Sequence, residues 1–330
     1  MVRRMKRLLA ALCIASTLMA AASAKQEAGL DAGRRAYEAS DYAKAIQVLQ
    51  AAAANDPQNG DVQLLLAKSY LELLEYDPAI KSAEKAVAID SQNSVHHEWL
   101  GRAYGEKADH ASLFSAMSLA KKTRKEFETA IQLDGKNFSA RQALIEFDCS
   151  APGIVGGGEE KALPQIRQLA EMDAAEGHYA AGNCRRQKKD FAVADEEFAK
   201  ALESNPKSAV LIYDIGDYAV KRGQPERLLA VADMGERVAP DDPRGKVYRG
   251  VALVLKKENP EEAERLLREY AKKAPLRSGY PRPAAAHAWL GRLFEEQNKM
   301  EEAVKEFESA LKLDPKNKMA HEALKRLKKG

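Results

Sequence analysis

The sequence is poor in cysteine, in aromatic residues and in net charge, and each shortage narrows the possible functions. Only two of its three cysteines lie beyond residue 24, too few to hold zinc in a four-cysteine site. Aromatic residues make up 6%, and no stretch alternates polar and apolar residues as a strand does. Lys and Arg number 52 against 49 Asp and Glu, so the basic excess of a nucleic-acid-binding protein is missing. We therefore expect no nucleic-acid partner.

Long apolar runs are also scarce, and the one near the start has the features of a secretion signal. Four cations and no acid lie within Met1–Arg7, a run of 15 mostly apolar residues follows, and Ala22-Ser23-Ala24 offers a cleavage site. A membrane span needs about 20 apolar residues, so we expect cleavage near Ala24 rather than a retained anchor. The remaining chain has 48 Lys and Arg against 49 Asp and Glu and no second apolar run of spanning length. We expect an exported protein, periplasmic or extracellular.

No arrangement of catalytic side chains is recognisable in the sequence. The six histidines form no HExxH motif and no pair with zinc spacing, and no GxSxG motif occurs. His97 and His287 belong to a duplicated HxWLGR segment, which we interpret as repeat geometry. We therefore expect neither catalysis nor a metal or cofactor.

The most glycine-rich stretch, APGIVGGGEEKA at residues 151–162, raises the question of a phosphate-binding loop. The Lys-Ser or Lys-Thr pair of a P-loop does not follow the glycines, and no strand pattern precedes them. Glu159 and Glu160 stand at the predicted helix start, where they complement the helix dipole and would repel phosphate. The stretch is predicted to be a connector between two helices.

Short turns recur along the chain with a period of 34 residues. Successive turns begin 34, 44, 71, 34 and 75 residues apart, which is one or two periods plus short insertions. Each turn ends in Asn, Ser or Asp, which are good caps for the next helix. The turns are PQN (57–59), SQN (91–93), GKN (135–137), PKS (206–208), PDD (240–242) and PKN (315–317).

The interior of each unit repeats as well. The second helix carries an Ala-x3-large-x2-small pattern, as in Ala45-Leu49-Ala52 and Ala194-Phe198-Ala201. Small residues let two helices approach closely, and the larger residue fills the gap between them. The small residues of the first helices are Gly33, Ala67, Gly101, Gly182, Gly216, Gly250 and Gly291.

These turns and packing positions resemble those of tetratricopeptide repeat proteins over nearly all of the chain beyond residue 24. The resemblance implies an all-α fold, a right-handed α-solenoid of antiparallel helix pairs whose first helices line a concave groove. We expect an array over residues 25–317 and a capping helix over 318–330. The eight expected units are 26–59, 60–93, 94–137, 138–174, 175–208, 209–242, 243–277 and 284–317.

The resemblance also implies a non-enzymatic scaffold that binds a protein or peptide in this groove. Tyr, Trp and Arg dominate the energetics of interfaces, although each of them could instead brace a helix pair. The residues that match inward-facing positions are Arg34, Tyr37, Trp99, Arg102, Tyr179, Tyr213, Tyr248, Trp289 and Arg292.

Insertions in the third and fourth units offer an alternative surface. Both fall between the two helices of their unit, and the ten extra residues of the third unit are expected to extend its second helix. Either the glycine loop packs over the apolar stripe of that extension, or the stripe contacts a partner. In the second case the chain would be a cell-envelope assembly factor that docks to its complex through this edge. An enzyme or glycan-binding protein on the same scaffold is a further alternative. The edge candidates are Leu113, Phe114, Met117, Ile154 and Val155.

Cys149 and Cys184 are 35 residues apart, close to one period, and both fall late in a predicted first helix. Neighbouring first helices pack side by side, so in an oxidising compartment a disulfide could join the fourth unit to the fifth. Two buried thiols that act as small apolar residues are the alternative.

The secretion signal gives a first testable prediction. The mature chain should begin at Lys25, because signal peptidase cleaves after small residues such as those at Ala22 and Ala24. N-terminal sequencing of protein from a membrane-free, non-cytoplasmic fraction checks this. Soluble cytoplasmic protein that retains Met1 would contradict it.

Overall fold

The computed structural model describes residues 27–327, and all regular elements in that range are helices. This confirms the predicted all-α class. The described chain divides between Ala162 and Leu163 into two compact units, which we call unit 1 and unit 2, and the predicted array of eight repeats stays a prediction. The predicted signal segment, residues 1–24, lies outside the described residues, as do residues 328–330 of the predicted cap.

Unit 1 is a series of helices joined by turns of three or four residues up to α7. Such short turns reverse the chain, so consecutive helices pack antiparallel. A 3₁₀ turn over Gly153–Val155 follows, and α8 (Glu159–Met172) crosses the boundary between the units. The other helices are α1 (27–38), α2 (Tyr42–Asn55), α3 (Gly60–Glu72), α4 (Tyr76–Ile89), α5 (Ser94–Asp109), α6 (Leu113–Leu133) and α7 (Phe138–Ser150).

Unit 2 is also a series of helices, joined by connections of one to five residues except for a longer one over residues 274–282. Its last helix packs on the two helices before it, and its role as a cap stays a prediction. The helices are α9 (Ala174–Gln187), α10 (Phe191–Glu203), α11 (Ala209–Arg222), α12 (Pro225–Val238), α13 (Arg244–Lys256), α14 (Pro260–Lys273), α15 (Pro283–Glu296), α16 (Met300–Leu313) and α17 (Lys318–Leu327).

The turn residues cap the helices that follow them, as predicted, at five of the six turns. In each case the side-chain oxygen accepts a hydrogen bond from a backbone N–H of the first helical turn. Asp242 differs, because Pro243 occupies the capping position of α13. The Asp242 carboxylate accepts the backbone N–H of Arg244 at 2.9 Å and also pairs with the Arg244 guanidinium. The five caps are Asn59, Asn93, Asn137, Ser208 and Asn317.

The second helix of the third unit, α6, is extended at its N-terminus as predicted. It has 21 residues, whereas α2 and α4 have 14 each. No proline or glycine interrupts it, and it begins directly after the short turn that ends α5.

A glycine in the first helix lets a phenylalanine of the second helix pack against the backbone. A Cβ atom added at Gly182 would lie 2.6 Å from Cε1 of Phe198, closer than any van der Waals contact allows. Phe198 and the phenylalanines at the equivalent positions, Phe127 and Phe307, are almost completely buried. The pairs are Gly101–Phe127, Gly182–Phe198 and Gly291–Phe307.

Gly182→Ala should therefore destabilise unit 2, although alanine favours a helix over glycine by about 0.5–1 kcal/mol. Overpacking costs about 1–3 kcal/mol, and we expect the melting temperature followed by circular dichroism to fall. Gly135→Ala is the matched control, because no atom lies within 4 Å of a Cβ added there. Equal melting temperatures for the two variants would show that the contact does not limit stability.

Candidate partner-binding surfaces

The backbone N–H groups of Gly156, Gly157 and Gly158 are all used in hydrogen bonds within the protein, so none of them is available to an anion. Each glycine N–H donates to a carbonyl oxygen of the loop or of α7. The bonds are Gly156 N to Gly153 O at 3.0 Å, Gly157 N to Pro152 O at 3.3 Å and Gly158 N to Asp148 O at 2.8 Å. The predicted connector is confirmed.

The conformation of this loop explains why it contains glycine. Gly156 and Gly158 have φ values of +100° and +141°, which L-residues rarely adopt. The Gly156 carbonyl accepts hydrogen bonds from Arg124 at 3.0 Å and Lys161 at 2.6 Å, and Arg124 also pairs with the buried carboxylate of Asp148. Burial raises the pKa of Asp148, while the charge of Arg124 opposes that rise. Arg124 thus fastens the loop to α6.

The edge candidates are divided by the structure between surface and core. Leu113 and Ile154 are each 73% exposed and Phe114 is 85% exposed, whereas Val155 is buried. The loop meets α6 at Arg124, about 15 Å along the helix from Phe114. The prediction that the loop covers the apolar stripe is therefore wrong for Leu113 and Phe114, which lie at the N-terminal end of α6. Met117 is half-buried.

Unit 1 carries three cations at the same repeat position of successive first helices. Arg34, Lys68 and Arg102 follow one another at intervals of 34 residues. We call their surface, together with Trp99, the first-helix face of unit 1. Arg34 pairs with Asp31 at 3.3 Å, and Arg102 pairs with Glu98 at 2.9 Å.

Glu98 is a buried carboxylate, so its own neighbours fix the position of Arg102. Besides Arg102, it accepts hydrogen bonds from the Ser139 hydroxyl at 2.6 Å and the Asn137 amide at 3.2 Å. Only 5% of Glu98 is exposed. Arg102 is therefore partly structural, although 36% of its side chain is still exposed.

Lys68 differs from the other two cations because it forms no ion pair with any residue in 27–327. Its ammonium lies 4.3 Å from the ring centroid of Trp99, and the Arg102 guanidinium lies 5.5 Å from the same ring. Burial lowers the pKa of Lys68, and the charge of Glu98 only partly opposes this. A carboxylate brought by a partner would stabilise the charged lysine.

Sequence reasoning missed Lys68 because it selected Tyr, Trp and Arg by residue type. The signal was its spacing, since it stands midway between Arg34 and Arg102. Tyr37, on the same helix as Arg34, is half-buried, and its ring packs edge-on against Tyr42 with centroids 5.4 Å apart.

In unit 2 three of the candidates lie in the core and cannot reach a partner. Tyr213 and Tyr248 are each 1% exposed, and Trp289 is 5% exposed. Tyr248 donates to the Asp217 carboxylate at 2.7 Å, and burial raises the pKa of Tyr213 to about 12. These residues brace the helix pairs, as the packing alternative predicted, because the neighbouring repeat covers them.

The two remaining candidates of unit 2 keep part of their side chains at the surface. Tyr179 is half-buried and donates to Asp214 at 2.9 Å. Arg292 is 40% exposed, and it forms an ion pair with Glu296 at 3.3 Å.

Three histidines join the first and second helices of their units through a glutamate. Each histidine stands four residues before a first-helix glycine, and each glutamate directly precedes the phenylalanine that packs there. The interpretation of His97 and His287 as repeat geometry thus acquires a physical contact. The pairs are His97–Glu126 at 2.6 Å, His178–Glu197 at 2.8 Å and His287–Glu306 at 2.7 Å.

The cysteines and the possible metal or membrane sites add little to these surfaces. Cys149 and Cys184 are both buried, and a bond between them stays a prediction. Within residues 27–327, no three His, Cys, Asp or Glu side chains are grouped to bind a metal ion. None of the helices in this range has the length and hydropathy to cross a membrane.

The repeated helix pairs define an α-solenoid repeat protein. Models of the tetratricopeptide repeat match residues 36–103, 175–208 and 253–318, which together cover about half of the chain. The chain belongs to the tetratricopeptide repeat family. A comparison with curated proteins found no significant match.

Among solved structures, yeast Tom70 is 15% identical with a TM-score of 0.56, and the match covers 88% of this chain and 58% of Tom70. MamA is 22% identical with a TM-score of 0.40, over 52% of this chain and 93% of MamA. A mutant O-GlcNAc transferase of Thermobaculum terrenum is 18% identical with a TM-score of 0.39, over 46% of this chain and 27% of that one. The likeness to Tom70 supports the fold alone.

The His287–Glu306 pair predicts a pH dependence of stability. Burial would raise the pKa of Glu306, but the hydrogen bond from His287 and the charge of Arg268 outweigh it, so the pKa lies below the usual 4.5. Because the folded-state pKa is depressed, the ionised carboxylate stabilises the fold above pH 4.5, and this contribution is lost as the pH falls through the folded-state pKa.

Glu306→Gln should lower the free energy of unfolding at pH 7 by about 1–3 kcal/mol, and the difference from wild type should shrink towards pH 3. Denaturant unfolding at both pH values measures it. Glu308→Gln, an exposed position on the same helix, should show little effect at either pH. A Glu306→Gln difference that is the same at both pH values would contradict the prediction.

Proposed function

We propose that the chain is a non-enzymatic, extracytoplasmic scaffold that binds an acidic segment of a partner protein on the first-helix face of unit 1. Tetratricopeptide repeat proteins bind protein partners, and stacked repeats present extended surfaces for this purpose. The secretion signal in the sequence supports an extracytoplasmic location. The absence of a recognisable catalytic motif in the sequence supports a binding role.

One observation carries the proposal, namely that Lys68, beside Trp99, has no ion-pair partner within residues 27–327. Arg34 and Arg102, at equivalent positions, each pair with a carboxylate three or four residues earlier in the chain. The residues three and four positions before Lys68 are both leucine, so Lys68 has no such partner on its own helix. A partly buried cation that forms no ion pair is unfavourable, and a partner carboxylate would supply one. The half-buried Trp99 ring adds apolar contact area, which is typical of an interface hot spot.

The edge of unit 1 is a second candidate for docking, on the strength of its exposed apolar tip. Leu113 and Phe114 stand at the free end of the α6 extension and are 73% and 85% exposed. Exposed neighbouring apolar side chains of this size are characteristic of interaction sites. The second proposal is that this tip docks the chain to a complex of the cell envelope.

Binding through the first-helix face predicts the effect of a double variant. After chemical crosslinking in the native cells has identified the partner by mass spectrometry, Lys68→Ala combined with Trp99→Ala should weaken its binding by about 2 kcal/mol or more. Titration calorimetry with the purified partner measures the loss. The matched control is Phe191→Ala in unit 2, a partly exposed ring that also lies beneath a cation, Arg222, at 4.8 Å.

Full affinity in the folded double variant would contradict the first-helix face. If Leu113→Ser with Phe114→Ser then abolished binding, the edge would be the interface. Turnover of a substrate by purified protein would contradict the non-enzymatic proposal.

A further inference from the structure

A groove lies between α2 and α4, the second helices of the first two helix pairs of unit 1. Its volume is about 900 Å³, and side chains of α3 form its floor. This is within the range of ligand-binding clefts in proteins. The α2–α4 groove is separate from the first-helix face. Leu66 and Tyr70 of α3 line the groove, and Lys68 lies roughly half a helical turn around α3 from both of them.

The two walls of the groove differ in charge. The α2 wall is small and uncharged, with Gln50, Ala53 and Ala54, whereas the α4 wall carries Lys81 and Lys85. Both lysines are exposed, and neither forms an ion pair with any residue in 27–327.

An acid also lines the groove, but its charge is already compensated. The carboxylate of Asp77 forms an ion pair with Lys107 of α5. The groove therefore presents two uncompensated positive charges along one wall, which favours an anionic occupant.

The floor contains a polar side chain that is nearly buried and lacks a partner. Gln63 is 4% exposed, its side-chain amide forms no hydrogen bond with another residue in 27–327, and what exposure it keeps is towards the groove. The amide has a donor and an acceptor, which is what a peptide bond complements.

We propose that the α2–α4 groove binds an acidic segment of a partner protein in extended conformation, with Asp or Glu at two positions separated by one residue. Lys81 and Lys85 are four residues apart on one helix, so their Cα atoms are separated by about 6 Å. Alternate side chains of an extended peptide are about 6.6 Å apart on the same side. Two such carboxylates therefore match the two lysines.

The length of the groove fits a short peptide. From Asp77 to Ile89 the α4 wall spans about 18 Å, which accommodates five or six extended residues. The alanines of the opposite wall leave room for the peptide backbone, and Gln63 can exchange hydrogen bonds with one of its peptide groups.

A phage-displayed library of random 12-residue peptides, selected against the purified protein, provides the probe. We expect enrichment of peptides with the pattern acid-x-acid. A fluorescein-labelled synthetic copy of the most enriched peptide is then titrated by fluorescence anisotropy. Its affinity should fall at least tenfold for Lys81→Glu with Lys85→Glu, and likewise for Ala54→Trp, which fills the groove.

Two matched controls separate a local effect from a general one. Lys121→Glu with Lys125→Glu changes another exposed lysine pair at the same spacing, on α6, that forms no ion pair within the described range. Ala43→Trp adds the same ring to an exposed position of α2 that does not line the groove. Both controls should bind within twofold of wild type, and circular dichroism checks that each variant is folded.

Three results would overturn the proposal: no enrichment of acidic pairs, binding that survives both groove variants, or an equal loss in the lysine controls. Lys68→Ala with Trp99→Ala distinguishes this site from the proposed function. If that variant alone lost the peptide, the first-helix face would be the acidic-peptide site and the groove proposal would fail. If only the groove variants lost it, the groove proposal would stand whatever the fate of the first-helix face.

Discussion

The close approach of two helices at a first-helix glycine is the constraint on which the rest of this structure depends. At Gly101, Gly182 and Gly291 no Cβ atom fits, because a buried phenylalanine of the second helix occupies that space. This contact sets the rotation of each first helix, and therefore decides which neighbouring positions point outward. The histidine four residues earlier meets the glutamate next to the phenylalanine in all three pairs, so one packing contact also aligns a polar one.

Both irregular connections depend on an arginine rather than on the repeat pattern. In unit 1 the Arg124 guanidinium donates to the carbonyl of Gly156, and in unit 2 Arg244 donates to the carbonyl of Gly279, each at 3.0 Å. Both glycines have positive φ values. Arg244 is also stacked on the Tyr213 ring at 4.3 Å. A turn that departs from the repeat has no neighbouring repeat to support it, and in each case a largely buried arginine supplies that support.

The sequence predicted the helix pairs, the capped turns and the extension of α6, because these depend on residues close together in the chain. It did not predict exposure, which depends on neighbouring repeats. Trp99 and Trp289 occupy the same position of the same HxWLGR segment, yet Trp99 is half-buried and Trp289 is 5% exposed. Trp289 belongs to an apolar cluster that includes Leu324 of α17. Residue type alone does not single out Lys68, although its position midway between Arg34 and Arg102 is visible in the sequence.

The two proposed binding surfaces share one helix, and this limits how they can influence each other. Lys68 on one side of α3 and Gln63 on the other are separated by only five residues, or about 7.5 Å along the helix axis. A partner on either side would not block the other by contact, because the body of α3 lies between them. Any coupling would have to pass through a displacement of α3, which is packed against α2, α4 and α5. Since that packing includes the fully buried Val62 and Ala67, displacement is costly, and two partners should bind unit 1 independently.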